Sequence, residues 1–124
     1  LVTSNGGNTW SPQLQNTDDA YFGIAFADAQ RGWVVGDAGK ILATNNGGIT
    51  WSPQNSGTAQ PLFAVSFVDT QRGWAVGNGG LILRTTNGGA NWNAQPSPTR
   101  EALYGISCVS AEVCFAVGGH TAEE

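Results

Sequence analysis

Between residues 21 and 27 bulky apolar side chains alternate with small ones, Phe22, Ile24 and Phe26 being interleaved with Gly23, Ala25 and Ala27. Period two marks a strand, and a strand that is apolar on both faces is one sandwiched between neighbouring sheets. Asp28-Ala29-Gln30-Arg31 interrupts the pattern as a polar turn, and Gly32-Trp33-Val34-Val35-Gly36 reads as the returning strand. A turn at Asp37-Ala38-Gly39 leads to a third strand, Lys40 to Thr44. The polar stretch from Thr44 to Trp51 makes the next turn, and a fourth strand is expected over 49–54.

The whole pattern then recurs. Thr44-Asn45-Asn46-Gly47-Gly48-Ile49-Thr50-Trp51 has counterparts at 3–10 and 85–92, so that Trp10, Trp51 and Trp92 stand at a constant interval of 41 residues. A period of this length belongs to propellers and solenoids, and four short strands per repeat joined by tight turns is the form of a propeller blade. In each box, Asn followed by Gly-Gly supplies residues that accept positive φ, and the Thr and Asn side chains can bond the amides of the turn. The closing Trp is expected to pack across the turn and to give its indole N–H to a carbonyl.

Repeat units fall at 1–20, 21–61, 62–102 and 103–124. The first holds only the outer half of a blade and the last only the inner half, followed by a divergent tail. The fold class is therefore all-β, a single partial propeller with half, two and half blades. Propellers close with about four to eight blades, so the half blades at either end need partners. A two-fold dimer could close a six-bladed ring by exchanging half blades; the other source of closure is a longer propeller of which this is a structural fragment.

Composition narrows the partners. Only 11% of the 124 residues are charged and the net charge is −4, which disfavours nucleic acid. The 18 glycines recur in fixed slots and so signal turns. No apolar run approaches the roughly 20 residues of a membrane span, and no targeting segment is visible. No cofactor or metal is expected.

The boxes resemble the Asp-box (BNR) repeat of sialidase-like propellers. Together with Gly-Trp-x-Val-Gly they resemble the propeller family of photosystem II stability and assembly factors, over nearly the whole chain. The resemblance implies that Asn5, Asn46 and Asn87, in the slot usually held by Asp, belong to structural turns with Trp10, Trp51 and Trp92. It also implies that arginines engage partner proteins, which points to Arg31 and Arg72. The repeat offers these two another role: each follows an Asp by three residues, Asp28 and Asp69, and both partners vanish together in the third unit as Ser110 and Val113. Asp and Arg would then clasp one turn.

Cys108 takes the slot of Phe26 and Phe67, and Cys114 that of Gly32 and Gly73. The two stand opposite one another across a hairpin, placed for a disulfide, with a reduced buried pair as the alternative. A disulfide would indicate a periplasmic or extracellular protein. Catalysis finds little to work with. His120 is alone in the divergent tail, Tyr21 shares its slot with Leu62 and Leu103, and Arg31, Arg72, Arg84 and Arg100 occupy scattered slots.

Residues that break the repeat gather in the inter-blade connections and in the turns at Asp37 and Asn78. These share the face opposite the boxes, where Asp18, Asp19, Asp37, Lys40, Arg100 and Glu101 are candidate binding groups. The expected function is a non-enzymatic binding or assembly scaffold that recognises a protein or peptide on that loop face. The rival is a carbohydrate-active propeller of the sialidase type.

Overall fold

The structure, a computed structural model, describes residue 8 and residues 20–118. The first box with Asn5 and Trp10, the strand expected after it, Asp18, Asp19 and His120 lie outside the described residues. Strands β1 (Tyr21–Phe26), β2 (Gly32–Gly36), β3 (Ile41–Thr44) and β4 (Ser52–Gln54) form one antiparallel sheet in chain order. Strands β5 (Leu62–Phe67), β6 (Gly73–Gly77), β7 (Ile82–Thr85) and β8 (Asn93–Gln95) form a second, and β9 (Leu103–Cys108) pairs with β10 (Cys114–Gly118) as a third. These are two complete blades and the inner half of another.

The outer strands are shorter than the expected 49–54. β4 begins only at Ser52, because the amide of Thr50 is taken by Asn46 Oδ1 at 3.0 Å and so belongs to the box turn. The turns after β2 and β6 are single 3-10 turns, Asp37–Gly39 and Asn78–Gly80.

The main core lies between the two complete blades. Trp33, Val35 and Ile41 of the first meet Leu62, Val65, Ala75, Leu83 and Trp92 of the second. Trp33 lies flat on Phe67, with ring centroids 3.5 Å apart and planes at 6°, while Trp92 meets the same Phe67 edge-on at 5.8 Å. Along the innermost strands Phe22, Phe63 and Tyr104 form a ladder with spacings of 5.5 and 5.0 Å.

Within a blade, register explains the residue pairs. Phe26 pairs with Gly32 and Phe67 with Gly73, and a Cβ at either glycine would lie 2.6 Å from the opposing ring. The glycine leaves room for the ring to lie across the hairpin. In the third unit this pair is replaced as a unit: Cys108 pairs with Cys114, and the two are joined by a disulfide.

Candidate functional site

Each described box is a closed hydrogen-bonded turn. In the second blade Thr85, 1% exposed, donates through Oγ1 to Asn87 Oδ1 at 2.9 Å and accepts from the amide of Gly89 at 2.9 Å. Asn87 Oδ1 in turn accepts the amide of Asn91 at 3.0 Å. Thr44, Asn46, Gly48 and Thr50 repeat the arrangement in the first blade. Asn46 and Asn87 are occupied with their own backbone, as befits turn residues, and no cluster of metal-ligating side chains exists among the described residues.

The box tryptophans differ from expectation in their partners. Trp92 gives its indole N–H to the side-chain oxygen of Gln54, on the neighbouring blade, at 3.2 Å. The same Gln54 donates to the Gly88 carbonyl at 3.1 Å, and Trp33 Nε1 donates to that carbonyl at 3.1 Å. Gln54 and Trp33 together tie the box at 85–92 to the first blade. Trp51 Nε1 is buried without a hydrogen-bond partner among the described residues. The repeat slot of Gln54 one unit earlier is Gln13, outside the described residues.

The two turns bearing arginine also diverge. Asp69 Oδ1 accepts the amides of Gln71 and Arg72 at 2.8 and 2.7 Å, and Asp69 Oδ2 faces Arg72 Nη2 at 3.0 Å. The clasp inferred from the sequence is present there. Asp28 caps its turn the same way through the amides of Gln30 and Arg31, at 2.8 and 2.7 Å, but the Arg31 side chain forms no ion pair among the described residues.

Both carboxyls sit below their ordinary pKa, chiefly because backbone N–H groups bond the ionised form; the arginine charge adds less. A depressed folded value contributes stability that is present above the unfolded pKa of about 3.9 and is lost as pH falls through the folded one. The expected result is that wild type and Asp69→Asn differ in urea midpoint at pH 6 and that the difference shrinks as pH falls below about 4. Chemical denaturation across that range checks it.

Arg31, whose side chain makes no ion pair with Asp28, lines an open cleft of about 330 Å3 between the two complete blades, with Trp33 in its lining. Its remaining walls carry hydroxyl and amide groups, among them Thr44, Asn45, Gln54 and Gln71, and no carboxylate. In the next repeat Ala43, part of this lining, becomes Arg84, whose guanidinium carbon lies 6.0 Å from the centre of the Trp74 ring. The slot that holds a methyl group beside Trp33 in the first blade thus holds a guanidinium in the second.

The loop-face candidates are elsewhere. Pairing of Tyr21 with Gly36 and of Phe26 with Gly32 puts the 28–31 turn and the 37–39 turn at opposite ends of the strands. Asp37, Arg100 and Glu101 are exposed on connections at the far end from Arg31, and Lys40 is half-buried there. The structure therefore separates the two candidate sets. Gln54 and Thr44 were missed as site residues, although a Gln three positions after each box tryptophan, at 13, 54 and 95, was visible in the repeat.

Comparison with known proteins agrees with this geometry. A family model described as photosynthesis system II assembly factor YCF48 matches residues 2–105. Among solved structures, YCF48 bound to D1 peptide superposes with a TM-score of 0.75 at 26% identity, covering 83% of this chain and 34% of that one. YCF48 from Cyanidioschyzon merolae gives 0.73 at 26% identity, covering 86% and 36%. The chain spans about a third of the length of these structures, and no curated protein matches it. With its boxes serving as turns and its blades packed in propeller fashion, this chain belongs to the family of the photosystem II assembly factor YCF48.

Proposed function

We propose that this chain contributes to a non-enzymatic assembly scaffold that holds a carboxylate-bearing peptide segment in the cleft beside Arg31. The observation that carries the reading is an arginine without an ion-pair partner among the described residues, beside Trp33 in a wall of neutral hydrogen-bonding groups. A guanidinium can take a carboxylate through two parallel hydrogen bonds, and the surrounding amides suit a peptide backbone. A solved relative carries a D1 peptide, which supports a peptide as the ligand here. This reading moves the binding site from the loop face to the box end of the blades.

Fluorescence anisotropy with a labelled D1 peptide tests it. Arg31→Ala is expected to weaken binding about tenfold to a hundredfold, the range for losing a charged hydrogen bond. Arg72→Ala, which removes an arginine already paired with Asp69, is expected to leave binding within about threefold of wild type. Equal affinity of Arg31→Ala and wild type would overturn the assignment.

We also infer that two copies of the chain associate to complete a ring. Supporting this are the apolar faces left open on the first blade and on the last strand pair. The disulfide supports placing the protein in an oxidising compartment, periplasmic or extracellular.

A further inference from the structure

The dipeptide Asn-Gly stands at 46–47, 78–79 and 87–88 among the described residues. It is the pair most prone to lose its side-chain amide, because the backbone nitrogen after the asparagine can attack Cγ and a glycine puts no side chain in the way. In a folded chain the outcome depends on what holds the two reacting groups.

In the boxes both groups are held. The Gly47 amide donates to the carbonyl of Gln30 at 2.9 Å, and the Gly88 amide to that of Gln71 at 2.9 Å. Asn46 Oδ1 accepts from Thr44 Oγ1 at 2.8 Å and from the Thr50 amide at 3.0 Å, while Asn46 Nδ2 donates to Thr50 Oγ1 at 2.7 Å. Thr85 and Asn91 fix Asn87 Oδ1 in the same way. Attack within a box would require it to open and would unpair the buried hydroxyl of Thr44 or Thr85.

The turn after β6 is built otherwise. Asn78 and Gly79 are exposed, the Gly79 amide meets no acceptor among the described residues, and a Cβ on Gly79 would meet nothing within 4 Å. The Asn78 side chain is held only by the bond from Nδ2 to Gln60 Oε1, at 3.0 Å and exposed, among the described residues. The equivalent turn of the first blade shows what a side chain in this slot reaches. Asp37 occupies it there, and Asp37 Oδ1 accepts the amide of Ala38 at 3.0 Å, so the side-chain carbonyl group comes within reach of the nitrogen that follows it.

We propose that Asn78-Gly79 is a self-modification site at which the chain converts Asn78 to aspartate. The Gly79 nitrogen gives its proton to solvent base and bonds to Asn78 Cγ, the Cγ–Nδ2 bond breaks, and Nδ2 takes up a proton and leaves as ammonia. Water then opens the cyclic imide, so that each conversion consumes one water and releases one ammonia. Opening at the side-chain carbon's neighbouring backbone carbonyl gives isoaspartate, which lengthens the backbone by a methylene. That product fits poorly, because Gly80 already stands so close to the Thr99 carbonyl that a Cβ there would lie 2.1 Å from it. Opening at Cγ gives ordinary aspartate, which makes the turn chemically like that of Asp37 and adds a carboxylate to the loop face. The site is at the far end of the strands from Arg31, so the inference stands apart from the peptide reading above.

Holding the full 124-residue chain in mildly alkaline buffer and following its tryptic peptides by mass spectrometry tests this. Residues 41–72, 73–84 and 85–100 fall in separate peptides with one Asn-Gly each, and fragment ions locate the converted residue. In the folded chain Asn78 is expected to convert first, with Asn46 and Asn87 at least about tenfold slower, since their box hydrogen bonds must break before attack. In urea the three are expected to convert at similar rates. Gly79→Ala, which puts a methyl group beside the attacking nitrogen, is expected to slow conversion of Asn78 and leave the box asparagines unchanged. Box asparagines that convert as fast as Asn78 in the folded chain overturn the proposal, and so does an Asn78 that keeps its amide when folded but loses it in urea.

Discussion

Trp33→Ala is expected to destabilise the protein by about 3–5 kcal/mol, the usual cost of emptying a buried aromatic site. Trp33 is 3% exposed and stacks on Phe67 at 3.5 Å, so its removal opens a cavity at the centre of the only large core shared by the two complete blades among the described residues. It also takes one of two donors from the Gly88 carbonyl, leaving Gln54 Nε2. Trp33→Phe separates the effects. It keeps an aromatic ring, as Phe115 does in the same slot of the third unit, while losing the indole N–H and part of the buried ring. About 1 kcal/mol is expected for the hydrogen bond, with the smaller ring adding to it, for a total below that of Trp33→Ala. Urea denaturation followed by circular dichroism measures both, and a loss below about 1 kcal/mol for Trp33→Ala would mean that the blades do not depend on this contact. Because Trp33 also lines the cleft, Trp33→Ala should weaken peptide binding under conditions where the variant is still folded.

The second large effect lies at the other end of the strands. Gly80→Ala is expected to cost about 1 kcal/mol through its backbone conformation and about 1–3 kcal/mol through overlap. The φ of Gly80 is +76°, and a Cβ there would run into the carbonyl of Thr99, in the connection that leads to β9. A backbone carbonyl cannot rotate away as a side chain would, so the connection itself must shift. Gly79→Ala is the control: its φ of +69° carries the same conformational cost, but a Cβ there meets nothing within 4 Å. A midpoint for Gly80→Ala no lower than that of Gly79→Ala would show that the tight approach of turn and connection contributes nothing. Neither variant touches the Arg31 cleft, and peptide affinity of the folded protein is expected to be unchanged.

Much of this architecture is legible in one chain because the chain is its own alignment. Alternation at Phe22 to Ala27 places β1, the recurring box places the turn, and the joint change of Phe67 and Gly73 to Cys108 and Cys114 gives a cross-strand pair that the disulfide realises. Such features are local: an opposed pair in a hairpin is set by register, and register follows from turn length and pleat. The Asp-Arg clasp shows where local reading stops. Asp28-Ala29-Gln30-Arg31 and Asp69-Thr70-Gln71-Arg72 are nearly identical in sequence, yet only Arg72 closes on its carboxylate while Arg31 lies along a cleft shared with the neighbouring blade.

The sequence by itself determined the strands, the turns, the blade repeat and the cysteine pair, since each depends on contacts within one hairpin or on a period that can be counted. Only the tertiary structure decided which arginine is available, that Gln54 and Trp33 lock one blade to the next box, and that equivalent slots are buried at one blade and open at another. Those properties arise where two blades meet, and residues far apart along the chain become neighbours there by sheet packing, which no local pattern encodes.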